Sequence, residues 1–318
     1  MDKLRHYLQW HILHRCNLHC KHCYQDDYRA EMKREDMLSV LDKYVAYLEK
    51  HDYEGQINLT GGEPLLHPDF MFLAAEIRKR GLRLGILTNG TLITDEIAGQ
   101  LASLHPVFVQ VSLDGPRRIH DEIRGEGCFD KALAGIDCLK RQGVRVLVSF
   151  TAMKDNWASF RELAKICRAH RVDKLWWDRV VTDDPALFLT TEEFRALSKT
   201  ASRLSRWYRF ISNDRALQWI PRGTCGYECS AGKRLLVVLP DGSLMACRRL
   251  PFVIGNIGDD EEMARIVDGN PIMRQLARPA FPPKCVKCRH FFSCAAGSKC
   301  VTYAQTGRLD AADVNCYL

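Results

Sequence analysis

The feature that most constrains this chain is a regular alternation of short apolar runs with helical stretches across its first two-thirds. Tyr7 to Leu13, Gln56 to Thr60, Leu82 to Leu87, Val107 to Leu113, Val144 to Phe150 and Lys174 to Val181 read as six strands. Between them, Phe70 to Arg80 has helical periodicity and stops at Gly81, and Thr94 is placed to cap the helix that follows Asn89-Gly90. Phe129 to Arg141, Trp157 to His170 and Thr191 to Tyr208 continue the pattern. Strands alternating with helices pair in parallel through right-handed crossovers. Runs this apolar fit a sheet covered by helices on one face and closed over a filled interior on the other. All six units lie before residue 210, short of the roughly 250 residues of an eight-unit barrel. The expected fold is α/β: a partial (β/α)6 TIM-like barrel over residues 1–208, a linker over 209–224 and a small cysteine-rich domain over 225–318. In such barrels chemistry collects at the C-terminal ends of the strands.

The first strand ends in Cys16-x3-Cys20-x2-Cys23. Three thiolates on one loop can hold three corners of an iron–sulfur cluster and leave one iron open to a ligand that is not protein. Tetrahedral zinc is the competing reading, with His14, His19 and His22 near enough to supply a fourth ligand. Disulfides fit less well, because residues 1–6 lack the apolar core and cleavage site of an export signal. The fourteen cysteines are unevenly spread: three open the chain, three lie apart at Cys128, Cys138 and Cys167, and eight crowd between Cys225 and Cys316. The net charge of +7 is modest and no basic tract asks for nucleic acid. No apolar run approaches membrane-spanning length. A cytoplasmic, reducing location suits this cysteine usage.

Polar groups follow the other strands. The second runs into Gly61-Gly62-Glu63-Pro64, where glycines permit close backbone approach and the carboxylate can bind an ammonium. The fourth runs into Ser112-Leu113-Asp114-Gly115, which offers hydroxyl and carboxylate groups to a sugar. Arg124, in His120-Asp121-x-x-Arg124-Gly125, can clamp a carboxylate. Together these describe a ligand that is both an amino acid and a nucleoside. Asp178 and the adjacent Trp176 and Trp177 either face the same cavity or pack in the barrel wall.

With these motifs in register, the first 190 residues or so resemble the radical S-adenosylmethionine (SAM) superfamily. The resemblance implies that Cys16, Cys20 and Cys23 hold a 4Fe–4S cluster and that His22 sits near the adenine. It also implies that Gly61, Gly62 and Glu63 bind the methionine amine, Ser112 the ribose region and Arg124 the carboxylate, with Asp114 and Arg179 as further candidates. Reductive cleavage of SAM would then give a 5′-deoxyadenosyl radical that takes a hydrogen atom from substrate. The tail resembles the SPASM extension of such enzymes, which holds two auxiliary 4Fe–4S clusters. Its pattern assigns Cys225, Cys229, Cys247 and Cys300 to the first auxiliary cluster and Cys285, Cys288, Cys294 and Cys316 to the second. Cys300 stands two residues beyond the usual spacing, which falls on Ser298; a zinc ribbon is the plain alternative for this region.

Cys138 and Cys167 read as small core residues, and Cys128 as either buried or a hydrogen-atom donor to a substrate radical. The resemblance points to maturation of a ribosomally made peptide by crosslinking, epimerisation or a related change. Expected partners are the peptide, a separate leader-recognition protein and a flavodoxin- or ferredoxin-type electron donor, with no membrane. Formylglycine formation is a second possibility, weakened because Arg248 stands where that branch carries an aspartate base after Cys247. Small-molecule oxidation and a non-enzymatic iron–sulfur electron carrier complete the alternatives.

Overall fold

A computed structural model describes residues 3–25, 29–216, 229–258 and 262–318. β1 (Arg5–His11) alternates, with Leu8 and Trp10 fully buried and Gln9 turned to the opposite face. The units that follow are α1 (Arg34–Lys50), β2 (Glu54–Thr60), α2 (Phe70–Lys79), β3 (Arg83–Thr88), α3 (Asp95–Ser103) and β4 (Phe108–Ser112). Next come α4 (Arg117–Arg124), α5 (Cys128–Arg141), β5 (Val146–Ala152), α6 (Phe160–Ala169), β6 (Lys174–Arg179) and α7 (Thr191–Leu204). β1 to β6 pair in parallel in chain order, as expected for the βα units. Thr94 caps α3 by accepting from Ile97 N at 3.3 Å. Thr190 and Glu193 form a reciprocal capping box on α7.

Helix and sheet meet in a layer of aromatic side chains. Phe150, Phe160, Trp177 and Phe194 pack in sequence, with ring centroids 5.4, 6.2 and 6.0 Å apart. The other face of the sheet differs from the expected apolar filling. Gln56 and Asn58 are hydrogen-bonded to each other there at 2.9 Å, Gly85 leaves room for Asn58 and Phe108, and towards the strand ends Gln110, Ser112, Ser149 and Thr151 face a cavity. Gln9 from β1 and Asp178 from β6 line that same cavity, so the sheet curls around it.

The sheet does not stop with the sixth unit. β7 (Ile211–Ser212), in the stretch read as a linker, pairs in parallel with β6. β8 (Leu235–Val238) lies parallel to the free edge of β1, and β9 (Ser243–Met245) and β10 (Val253–Asn256) extend it antiparallel. Among the described residues the strand order is β10-β9-β8-β1-β2-β3-β4-β5-β6-β7 in one sheet. Short helices complete the chain: α8 (Met263–Val267), α9 (Pro271–Ala277), α10 (Pro283–Val286), α11 (Phe291–Cys294) and α12 (Lys299–Thr306). Among the described residues no helix is long and apolar enough to cross a membrane.

Candidate active site at the strand ends

Beyond β1 the chain enters a loop closed at its base by His14 N donating to Ala30 O at 2.7 Å and Met32 N to Ile12 O at 2.9 Å. The end of β2 supports it, with Gly62 N donating to Leu13 O at 2.9 Å and Glu63 N to Arg15 O at 3.0 Å. A Cβ on Gly62 would collide with the carbonyl oxygens of His14 and Arg15. The paired glycines are therefore needed first for the cysteine loop, and they also line the cavity. Cys16, Cys20 and Cys23 face this cavity of about 320 Å³. Burial pushes the Cys16 thiol up to about 11 and raises Cys20 too, although Arg124 Nη1, 3.6 Å from the Cys20 sulfur, opposes the latter shift. Metal binding must displace these protons.

The β4–β5–β6 register builds one wall. Ser112 stands opposite Ser149, and Thr151 opposite Asp178. His22 lines the cavity as a neutral ring, because burial lowers its pKa to about 4. Its Nδ1 is buried without a hydrogen-bond partner.

Four expected site residues lie elsewhere or do something else. Glu63 is fully buried beneath the cavity, accepting from Thr88 Oγ1 at 2.8 Å, Asn89 N at 2.7 Å and Leu65 N at 3.2 Å. Burial raises its pKa to about 7 against these donors. Asp114 is also fully buried and outside the cavity wall, accepting from Arg124 Nε at 2.6 Å and Thr151 N at 2.9 Å. Burial works against its charge, but Arg124, His22, the Thr151 N–H and His120 together outweigh it and hold the carboxyl below its usual range. Asp114 thus orients Arg124, whose Nη atoms point to Cys20 and His22. Arg179, expected at the cofactor, instead donates to Asp313 through both Nη atoms at 2.7 Å and to Asn315 at 2.9 Å. Cys128 does not line the cavity; it lines an adjoining surface hollow that shares Leu18 and Arg124 with it, and its thiol contacts Arg124 O at 3.7 Å.

Two predictions arise from these placements. Because the folded pKa of Glu63 is raised, the associated stability is present below about 4.5 and lost as pH rises through about 7. Glu63→Gln should flatten the pH dependence of the melting temperature across that window, a difference of up to about 3 kcal/mol. An unchanged slope counts against an ionising, buried Glu63. Cys128→Ala should leave turnover within about twofold, because the thiol is outside the cavity; loss of turnover with unchanged melting would give it a chemical role.

The C-terminal half closes the cavity. Cys229, Cys247 and Cys300 line it together with Arg215, Arg248 and Arg249, while Cys225 lies outside the described residues. The irregular spacing before Cys300 is absorbed by three successive left-handed residues, Ala295, Ala296 and Gly297, at φ 47°, 64° and 83°. Ser298 is then buried 3.3 Å from the Cys300 sulfur, and Cys300 reaches the other two thiols. Arg248 covers the Tyr24 ring at 4.5 Å, while Arg215 and Arg249 flank Asp178 at 3.5 and 3.4 Å. Cys285, Cys288, Cys294 and Cys316 line a second cavity of about 220 Å³. Period-two polarity along β4 and β5 marks Gln110, Ser149 and Thr151 in the sequence, whereas no motif marks Arg215 or Tyr24.

A profile of the radical SAM superfamily matches residues 10–167, and one of the SPASM iron–sulfur cluster-binding domain matches residues 229–289. The chain belongs to the radical SAM superfamily. This radical SAM protein carries a SPASM region, and its cofactors are SAM and 4Fe–4S clusters. It is similar to mycofactocin maturase MftC of Mycobacterium tuberculosis, 28% identical over 97% of this chain and 82% of that protein. MftC of Mycolicibacterium smegmatis is 26% identical over the same shares. The fold is that of anSMEcpe, solved with AdoMet and a peptide, at TM-score 0.80 and 19% identity over 98% of this chain and 94% of that one. It is also that of Streptococcus suis SuiB bound to its precursor peptide SuiA, at TM-score 0.77 and 14% identity over 99% and 76%.

Proposed function

We propose that this protein is a radical SAM peptide maturase, in which a peptide residue enters the strand-end cavity and loses a hydrogen atom there. The observation that carries this reading is the single cavity shared by Cys16, Cys20 and Cys23 with Cys229, Cys247 and Cys300. The names of MftC and of the peptide-bound structural neighbours support a peptide as substrate.

The residues present fit SAM. Three inward thiols on one loop, a Gly61–Gly62 backbone lining the same cavity and a neutral His22 ring with a buried, unpartnered nitrogen match an amino acid–nucleoside ligand. SAM bound at the reduced cluster supplies a hydrogen-abstracting radical. Around it, the Gly61–Gly62 backbone would take the methionine end, Ser112 the ribose and His22 the adenine, while Arg124, held by Asp114, would orient the carboxylate. Arg248 lines the cavity where a formylglycine-forming site would need a carboxylate base, which favours peptide maturation of another kind. Cys225, Cys229, Cys247 and Cys300 would hold the first auxiliary cluster, and Cys285, Cys288, Cys294 and Cys316 the second. The electron donor would be a flavodoxin or ferredoxin, and leader recognition would fall to a separate protein or to the barrel surface. Co-expression with a precursor peptide encoded beside this chain should change the peptide's mass; no mass change for any neighbouring candidate would reject the peptide reading.

A further inference from the structure

Residues 269–309 hold seven lysines and arginines and no aspartate or glutamate, in a chain whose whole excess is +7. The charge is therefore concentrated in the segment that carries Cys285, Cys288 and Cys294. The nearest acids do little to offset it. Asp310 pairs with Arg308 at 3.0 Å, and Asp313 is buried against Arg179. Lys284, Lys287 and Arg289 are exposed around the second cysteine cavity. Beside them Phe292 is 99% exposed, Val286 56% and Leu318 57%. Phe291, its neighbour on α11, is packed edge-on against Phe281 at 4.9 Å. A large aromatic left bare beside a run of exposed cationic residues is the composition of a contact surface rather than of an idle one.

We propose that this face is the docking site of a small acidic electron-carrier protein, a flavodoxin or ferredoxin in class. The inference rests on the reading that Cys285, Cys288, Cys294 and Cys316 hold an iron–sulfur cluster. Those four thiols line an opening beneath the patch itself, so a carrier seated on Lys284, Lys287, Arg289 and Phe292 brings its own redox group close to them. Complementary charge steers such short-lived encounters, and their interfaces are small, below about 1,200 Å². A second copy of this face would be repelled by its own charge. The patch and the strand-end cavity share no lining residue, so carrier and peptide can bind together.

The test is calorimetric binding of oxidised flavodoxin, and separately of ferredoxin, to the anaerobically reconstituted full chain at about 20 and about 500 mM salt. Micromolar binding at low salt, weakened at least about tenfold at high salt, is expected of such a surface. Lys284→Glu/Lys287→Glu/Arg289→Glu and, separately, Phe292→Ser should each weaken it at least about tenfold. Iron content, SAM affinity and dithionite-driven 5′-deoxyadenosine formation should stay at the parent level in both variants. Equal carrier affinity in parent and variants overturns the proposal. So does a parent that binds neither carrier at low salt yet forms 5′-deoxyadenosine with dithionite, or one whose patch variants lose only an acidic peptide or RNA. A fully iron-loaded parent that forms no 5′-deoxyadenosine with dithionite fails the functional reading instead.

Discussion

Asp313→Ala should lower the stability of the chain by about 3–5 kcal/mol, because it leaves the Arg179 guanidinium buried and unpaired. Asp313 takes both Arg179 nitrogens at 2.7 Å and also accepts from Ser298 N at 2.8 Å and Asn315 N at 3.0 Å. One carboxylate therefore fastens the end of β6 to the turn before Cys300 and to the segment before Cys316. The effect should reach the metal sites. We expect the melting temperature to fall on the order of 10 °C, with iron lost from the C-terminal cysteines before it is lost from Cys16, Cys20 and Cys23. Asp313→Asn retains the oxygen facing Ser298 and should fall between. Iron content equal to the parent's, at an unchanged melting temperature, would show that the clasp matters little.

Arg124→Ala should abolish SAM binding and also destabilise the fold by about 3–5 kcal/mol, because Asp114 is left fully buried with its charge uncompensated. The two consequences can be separated. Arg124→Ala/Asp114→Asn removes the stranded charge and should recover much of the melting temperature without recovering SAM binding, since the groups aimed at Cys20 and His22 are still missing. Arg124→Lys restores a positive charge but not the fork that serves both Asp114 and the cavity, so partial recovery is expected. Equilibrium binding of SAM to reconstituted protein, beside thermal melting, gives both readouts. Full SAM affinity in the double variant would reduce Arg124 to a structural role.

Much of this architecture was legible in the sequence because parallel βα units write themselves as apolar runs separated by capped helices. Thr94, Gly81 and the β-branched Val107 to Leu113 run all mark boundaries found within a residue or two. The cysteine triplet and the Gly61-Gly62 pair were legible for a related reason: each is a local device, complete within a few residues. Helix α1 was overlooked although Met37, Val40, Leu41, Tyr44 and Leu48 recur at helical spacing. Its charged first turn and interleaved Asp42 and Lys43 dilute the apolar face.

What the sequence could not convey was long-range pairing. Nothing local to Leu235 to Val238 says that it will extend the sheet beside β1, and nothing local to Arg179 says that its partner is Asp313, far along the chain. The motif logic also misplaced charges by one layer. Glu63 and Asp114 stand behind the groups that face the cavity, because a carboxylate at a strand end is as readily satisfied by backbone N–H groups and a buried arginine as by a ligand. The polar lining, by contrast, was present as a period-two signal in β4 and β5 beneath their apolar average.

The central claim is that Cys16, Cys20 and Cys23 organise radical chemistry on SAM. Its most direct test is anaerobic 5′-deoxyadenosine formation from SAM with dithionite, by the reconstituted chain and by the Cys16→Ala/Cys20→Ala/Cys23→Ala variant. The account predicts product from the parent and none from the variant, with iron still held by the C-terminal cysteines. Equal product from both, or none from a fully iron-loaded parent, would contradict it.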